Sequence, residues 1–344
     1  MPGRRRDFSA PDDDYANRVL GCLLGGAVGD ALGYCVEFDS RAAILERYGP
    51  DGIREPVPNR RGEVHVSDDT QMTIFTLAGL LASTGPGMQL DQSRALESVR
   101  RATLDWYKTQ SGLTSAGDML SGFDVLRKAR MPGNTCLRAC QLGAVGTPNE
   151  SINNSKGCGG VMRVAPVGLF HELSHERAFD LGARCAAQTH SHPSGYLSAG
   201  AMASIVRDLL DGLEPERAAT RALGFARSWP HADETTRAMS HALTLARRRN
   251  IDPADAVAEI GQGWIGEEAL AIGLYSVLVA TNFEHAVRIA CNHDGDSDST
   301  ASIAGQLHGA WQGLGDVSDD WIQRLDVLDP ILDVADRLIE ARGP

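Results

Sequence analysis

Between His293 and Gly305 the chain reads HDGDSDSTASIAG, which sets carboxylates at Asp294, Asp296 and Asp298 among hydroxyl residues and then runs into small ones. A D-x-D-x-D start is that of an EF-hand calcium loop, which needs Gly at position 6 and Glu at position 12. Counted from Asp294, those positions hold Ser299 and Gly305, so both the sharp turn and the bidentate ligand are missing. A solvated acidic turn does not explain the residues after it, because Ile303, Ala304, Leu307, Ala310 and Trp311 recur at helical spacing. The acids therefore stand at the start of a closely packed helix. Crowded there they repel one another, and the helix dipole offsets only part of that repulsion. A bound cation would offset most of it.

Carboxylates and hydroxyls form a hard, oxygen-rich donor set suited to magnesium, manganese or calcium rather than zinc. One turn supplies too few oxygens. A second acidic turn lies in VHVSDDTQMTIFTLAGLLA, where Ser67, Asp68, Asp69 and Thr70 lead into an apolar helix carrying Ile74, Leu77, Ala78, Leu80 and Leu81. Plain N-capping by Ser or Asp is the alternative there. A further acid, Glu37, closes the first apolar segment, VLGCLLGGAVGDALGYCVEF.

Five segments in order, GDALGYCVEF (29–38), SDDT (67–70), SKGCGGVMRVAPVGL (155–169), THSHPSG (189–195) and GDSDSTASIAG (295–305), together resemble the ADP-ribosylglycohydrolase family. The resemblance implies a compact orthogonal helical bundle with a dimetal cleft. It places Ser67, Asp68, Asp69, Asp296, Asp298 and Ser299 around two divalent cations, Mg²⁺ or Mn²⁺. Glu37 and Asp69 take catalytic roles, Glu37 on a mobile segment over the metals. Asp30, Ser155, Gly157, Cys158, Gly159, Gly160 and His190 fall among the substrate contacts, with the glycine turn wrapping the diphosphate and ribose. Cys158 stands where relatives often carry Asn, which removes an amide from that turn, and Asp294 has no assigned role.

The implied reaction cleaves the glycosidic bond between ADP-ribose and an acceptor. Paired cations can grip ribose hydroxyls and lower the pKa of a bound water. A metal-free pair of carboxylates, Glu37 and Asp69, is the alternative mechanism. Backbone N–H groups of the glycine turn, at a helix N-terminus, would suit phosphate. The DSDST turn resembles that of the family's arginine-specific branch, so the acceptor expected is arginine on an ADP-ribosylated protein, and an acidic rim of Asp294 and Glu37 would welcome a guanidinium. Serine-linked, ester-linked and nucleobase-linked ADP-ribose, small ADP-ribosyl substrates, and a non-catalytic ADP-ribose binder are the other readings; ADP-ribose is the product.

Positioning these groups calls for helices. Val19, Leu20, Leu23, Leu24 and Ala27 recur at helical spacing, as do Ile331, Val334 and Leu338, and GEVHV (62–66) is the clearest alternating stretch in a chain with few, so an all-α protein is predicted. The 37 glycines and many alanines suit tight helix crossings. At 344 residues two domains are possible on length, but the turns near 68 and 296 must meet, so 15–344 is read as one domain behind a frayed tail at 1–14. STGPG (83–87), MPGN (131–134) and HSHPSG (190–195) are read as loops.

The net charge of −12 argues against a nucleic-acid surface. AIGLYSVLVA (271–280) is too short to cross a membrane and no signal-peptide core is apparent. Seven cysteines without C-x-x-C pairs suggest a reduced, cytoplasmic protein; a monomer is expected. HELSH (171–175) fits the H-E-x-x-H zinc-protease pattern. Ser174, however, is placed to cap a new helix, HERAFDLGARCAAQ, which would separate His171 from His175. Both, like His192, are read as ordinary surface or loop histidines.

Overall fold

The computed structural model describes residues 11, 13–84, 89–112, 117–248 and 250–342. Helices account for the architecture, and no strand is formed among the described residues beyond isolated bridges. Most of the expected tail and most of STGPG lie outside the described residues. The folded chain begins no later than Asp13, whose side chain caps the helix Asp14–Gly33. GEVHV does not become a strand. Val64 makes a single parallel bridge to Leu325, with Val64 N–H bonded to Arg324 O at 2.7 Å and Asp326 N–H to Val64 O at 3.1 Å. Alternation marked that stretch, but Val64 alone of it forms a bridge to another segment, while Gly62 and Glu63 bond locally to Asn59.

The central contact joins the two ends of the sequence. Asp14–Gly33 crosses Ser297–Gln312, and the contact runs on residues four apart, which share one helix face. A Cβ on Gly21 would lie 2.5 Å from Gly309 O, and one on Gly25 2.7 Å from Gly305 O. Gly29 meets Ala301 O and Gly33 meets Ser297 O even more closely. The backbones therefore touch without intervening side chains, as small-residue faces allow. The consequence reaches the acidic turns: the C-terminal end of the first helix, just before Glu37, is held against the N-terminal end of the helix bearing Asp298.

Asp68–Leu81 is buried along its whole length, so it is a core helix rather than an amphipathic surface one. Its first turn is tied to the first helix by Asp30, whose carboxylate accepts from Ser67 N (2.8 Å), Thr70 N (3.0 Å) and Thr70 Oγ1. The segment 128–136 is fastened alongside. Arg130 donates to Val66 O at 3.1 Å and pairs with Asp326, while Gln71 Nε2 donates to Lys128 O at 2.9 Å. No described helix is long and apolar enough to cross a membrane.

Candidate active site

Both acidic turns open into one cleft of about 210 Å³, lined by Glu37, Asp68, Asp69, Asp296, Asp298 and Ser299 on one side. Gly157, Cys158, Gly159, Met162, His190 and Trp264, together with Met131 and residues 133–136, complete it. Volume does not single it out, since a cavity near Leu96, Arg100 and Gln188 reaches about 360 Å³. Its acids do. Glu37, Asp296 and Asp298 bring one oxygen each within 4.8 Å of one another, the one such group found among the described residues.

Each acid is placed by a local cause. Ser67 N-caps its helix by accepting from Asp69 N at 3.2 Å, and Asp296 caps the second by accepting from Ser299 N at 3.4 Å. The capping alternative and the acidic-cluster reading are thus compatible, because the caps orient the acids that come after them. Asp68 Oδ2 accepts from Gly133 N at 3.3 Å, which ties the turn to the MPGN segment. Gly295, at φ +139°, turns the chain into the second helix.

Burial raises every carboxyl here, and like charge adds to it at all but Asp298. Glu37 is pushed up to about 9, first by burial and then by the Asp298 and Asp296 charges. Asp30 is pushed up to about 7 by burial and Asp298, against the hydrogen bonds that favour its charged form. Asp68, Asp69 and Asp296 stand well above the usual carboxylate range for the same two leading reasons, and burial raises Asp298. Glu37 Oε2, Asp69 Oδ2 and Asp298 Oδ1 are buried without a hydrogen-bond partner. Unpaired buried acceptors of this kind are costly, and acids gathered in one cleft make them a functional-site signature.

Several expected residues have places that differ in kind. Asp30 is wholly buried behind the Asp68 turn with both oxygens engaged, so it positions that turn and does not line the cleft. Ser67 is likewise fully buried behind the cleft, while Ser299 lines it. Asp294 is exposed and turns away from the acids to accept from Arg41 N at 2.9 Å, at the start of the helix Arg41–Tyr48. The acidic rim expected from Asp294 therefore fails: that residue takes up the first backbone N–H of that helix, beside the Ser40 N-cap.

The glycine turn is not the N-terminus of a long helix. It is a single 3₁₀ turn, Cys158–Gly160, with Gly157 N–H already bonded to Ser155 Oγ (3.2 Å) and Cys158 N–H to Trp264 O (3.3 Å). Gly159 is required by packing: a Cβ there would lie 2.8 Å from both Cys136 Sγ and His190 Cε1. Gly160 packs against Ala186 and Gly195, and Ser155 sits at the turn's entry, 3.2 Å from Thr135 Oγ1. Cys158 Sγ donates to Asp296 Oδ2 at 2.8 Å, so Cys158 couples the glycine turn to the acidic one.

The histidines also sort themselves. His190 lines the cleft, and burial, with the Arg163 charge second, lowers it to about 3. His192 Nδ1 caps Pro193–Leu210 by accepting from Ser194 N at 3.1 Å, so the second half of HSHPSG is already helix. Ser174 caps His175–Ala187, which leaves His171 outside that helix, and His175 pairs with Asp208 at 2.6 Å. The zinc-protease pattern is thereby broken. Sequence reasoning missed Met131, Asn134, Thr135 and Trp264 in the cleft wall. Pro132 and Gly133 had flagged a loop, but nothing in the sequence aimed it; Trp264 is a lone aromatic in an irregular stretch.

An all-α scaffold whose two acidic helix starts converge under a glycine turn presents an oxygen-donor centre of the kind divalent cations occupy. Residues 11–344 match the family model for ADP-ribosylglycohydrolase, and the chain belongs to that family. It is 25% identical over 325 residues to the ADP-ribosyl-dinitrogen reductase glycohydrolase of Rhodospirillum rubrum, covering 90% of this chain and 91% of that one. It is 24% identical over 333 residues to an ADP-ribosylarginine hydrolase of Serratia proteamaculans, covering 95% and 80%. The ADP-ribosylhydrolase ARH3 of Gallus gallus is 24% identical over 362 residues, covering 94% and 93%. A solved structure described as an ADP-ribosylglycohydrolase-related protein complex superposes with a TM-score of 0.61 at 24% identity, over 96% of this chain and 99% of that one.

Proposed function

We propose that this chain is a divalent-cation-dependent hydrolase that releases ADP-ribose from arginine side chains of modified proteins. The carrying observation is the set of buried, partnerless oxygens on Glu37, Asp69 and Asp298. The donor set fits Mg²⁺ or Mn²⁺: it is all oxygen, negatively charged and drawn from both turns. Asp68, Asp69, Asp296 and Asp298 would hold two such ions, with Ser67 and Ser299 supporting the ligands. When bound, the ions would polarise ribose hydroxyls and acidify water. The chain's own groups do the rest. Glu37, at the edge of the cluster, is placed to hold or pass a proton. The glycine turn and His190 wall the side on which the nucleotide would lie, and Cys158 keeps that wall registered to Asp296.

Arginine is favoured as acceptor by the residue beside Glu37. Phe38 is 68% exposed and stacks on Trp264, itself 40% exposed, with ring centroids 6.0 Å apart and planes 19° from parallel. An aromatic ledge against an acidic floor suits a planar cation, worth about 0.5–2 kcal/mol by cation–π attraction. A neutral serine linkage would gain nothing from it. Seven unbridged cysteines fit a reducing compartment, and a single-domain, cytoplasmic, monomeric protein belongs to the same proposal.

The test is a side-by-side assay on arginine-linked, serine-linked and nucleobase-linked ADP-ribose, with Mg²⁺, with Mn²⁺ and in chelator. Arginine-linked substrate should be cleaved preferentially, and only with metal. Preference for another linkage would overturn the acceptor; full turnover in chelator would overturn the cation dependence and leave Glu37 and Asp69 as a carboxylate pair.

A further inference from the structure

Arg163 is a buried cation with an unusual set of neighbours. It is 2% exposed and pairs with no carboxylate among the described residues. Its guanidinium touches two sulfurs, Met72 Sδ at 3.7 Å and Cys136 Sγ at 3.8 Å, and donates one short bond, from Nη2 to Thr189 Oγ1 at 2.7 Å. Burying a charge on so few partners is expensive, and the expense needs a reason. The next atom along supplies one: Thr189 Oγ1 lies 2.9 Å from His190 Nδ1, and the imidazole lines the cleft.

The direction of that second bond is set by charge. Arginine cannot accept, so the Thr189 hydroxyl accepts from it and has a single proton to give. It can give that proton to His190 Nδ1 at 2.9 Å or to Ala186 O at 3.3 Å. The shorter bond is also the better polarised one, because a hydroxyl that accepts from a cation becomes a stronger donor. A cation on the Nδ1 side of the ring further favours the tautomer whose lone pair, not its proton, faces that way. We infer that Arg163, acting through Thr189, fixes His190 as a neutral imidazole with its proton on Nε2, making it a standing hydrogen-bond donor to an oxygen of the bound nucleotide and not an acid–base group.

The far side of the ring agrees. His190 Nε2 makes no hydrogen bond to a described residue and faces the glycine turn, where a Cβ on Gly157 would lie 3.2 Å from it. Gly157 therefore leaves open the space into which the Nε2 proton points. Gly159 lies against the Cε1–Nε2 edge of the ring and Gly195 against the His190 Cβ, so its orientation is held by packing as well as by Thr189. Arg163 and Thr189 are positioning residues here: neither lines the cleft, and both act through His190. The identity of the nucleotide as ADP-ribose rests on the function proposed above, whereas the tautomer does not.

Imidazole nitrogen NMR of histidine-labelled protein tests the tautomer without any substrate. The His190 signals, assigned by their loss in His190→Gln, should show Nδ1 as the unprotonated nitrogen and Nε2 as the protonated one. Thr189→Val should mix or invert the tautomers and weaken ADP-ribose binding roughly 10-fold, measured by calorimetry, in keeping with a lost hydrogen bond to a charged ligand. Thr189→Ser should restore both. If the valine variant folds poorly because Arg163 loses its acceptor, Arg163→Met, which removes the cation and keeps the hydroxyl, gives the same two readouts. A proton on Nδ1 in the unaltered protein, or an unchanged tautomer in both variants, would overturn the inference. The expected tautomer without any binding of ADP-ribose would leave the relay standing and refute the ligand.

Discussion

Asp298→Asn separates a site built for cations from a cluster of acids that merely share a pocket. With effective ε near 20, charges about 4–5 Å apart repel by roughly 3–4 kcal/mol. Glu37, Asp296 and Asp298 meet within 4.8 Å. Fully ionised and without a cation, their three pairs would cost about 10 kcal/mol, comparable with the whole stability of a folded chain. The cation-free protein must therefore keep protons, which is what the raised carboxyls describe. The sign is fixed by proton binding. A carboxyl whose folded pKa lies above its unfolded value binds more protons in the native state, so its favourable contribution is complete at low pH and is lost as pH rises through the folded pKa. For Asp30 that window runs from 3.8 to about 7, and for Glu37 from 4.5 to about 9. A shift of about three units at the fully buried Asp30 corresponds to at most about 4 kcal/mol.

Among the charges acting on Asp30, Glu37, Asp68, Asp69 and Asp296, that of Asp298 is the largest. Its neutral amide should therefore relieve all five at once. In chelator at pH 8, Asp298→Asn should be more stable than the unaltered protein by about 1–3 kcal/mol in urea unfolding. As pH falls the two should converge, since the raised carboxyls take up protons in both. Adding Mg²⁺ or Mn²⁺ should reverse the order: the unaltered protein gains about 2.7 kcal/mol at a hundredfold excess over its Kd, and the variant gains little. A variant less stable than its parent in chelator at pH 8, or one that responds equally to metal, would refute the reasoning.

The remaining expectations concern packing and turns. Gly29→Val should cost about 3 kcal/mol or more in urea unfolding, because the new side chain meets the Ala301 carbonyl where the two long helices touch; a loss under about 1 kcal/mol would show that the crossing can open. Asp294→Ala should lower stability by about 1 kcal/mol through the lost cap on Arg41, while leaving cation affinity within about twofold. A large fall in metal affinity, read by calorimetry, would return Asp294 to the site.

The sequence marked the acidic turns and their helices because each is a local pattern: acids at a helix start, then apolar residues at helical spacing. Even the crossing was half visible, since Gly21, Gly25, Gly29 and Gly33 repeat every four residues; its partner face, Ser297, Ala301, Gly305 and Gly309, repeats likewise, but no one-dimensional pattern says that these two faces meet. Asp294 shows the limit of reading charge by proximity. It stands two residues before Asp296, yet the turn at Gly295 sends it to another helix. The cleft walls were less legible still. Met131, Thr135 and Trp264 come from irregular segments or their edges, where no period links a residue to a face, and their aim is set by distant fastenings such as Arg130 to Val66 O. Cys158 joins both kinds of information. As a residue type it looked like a loss from the glycine turn, whereas its bond to Asp296 makes it the link by which a change at that turn would be felt by the acids.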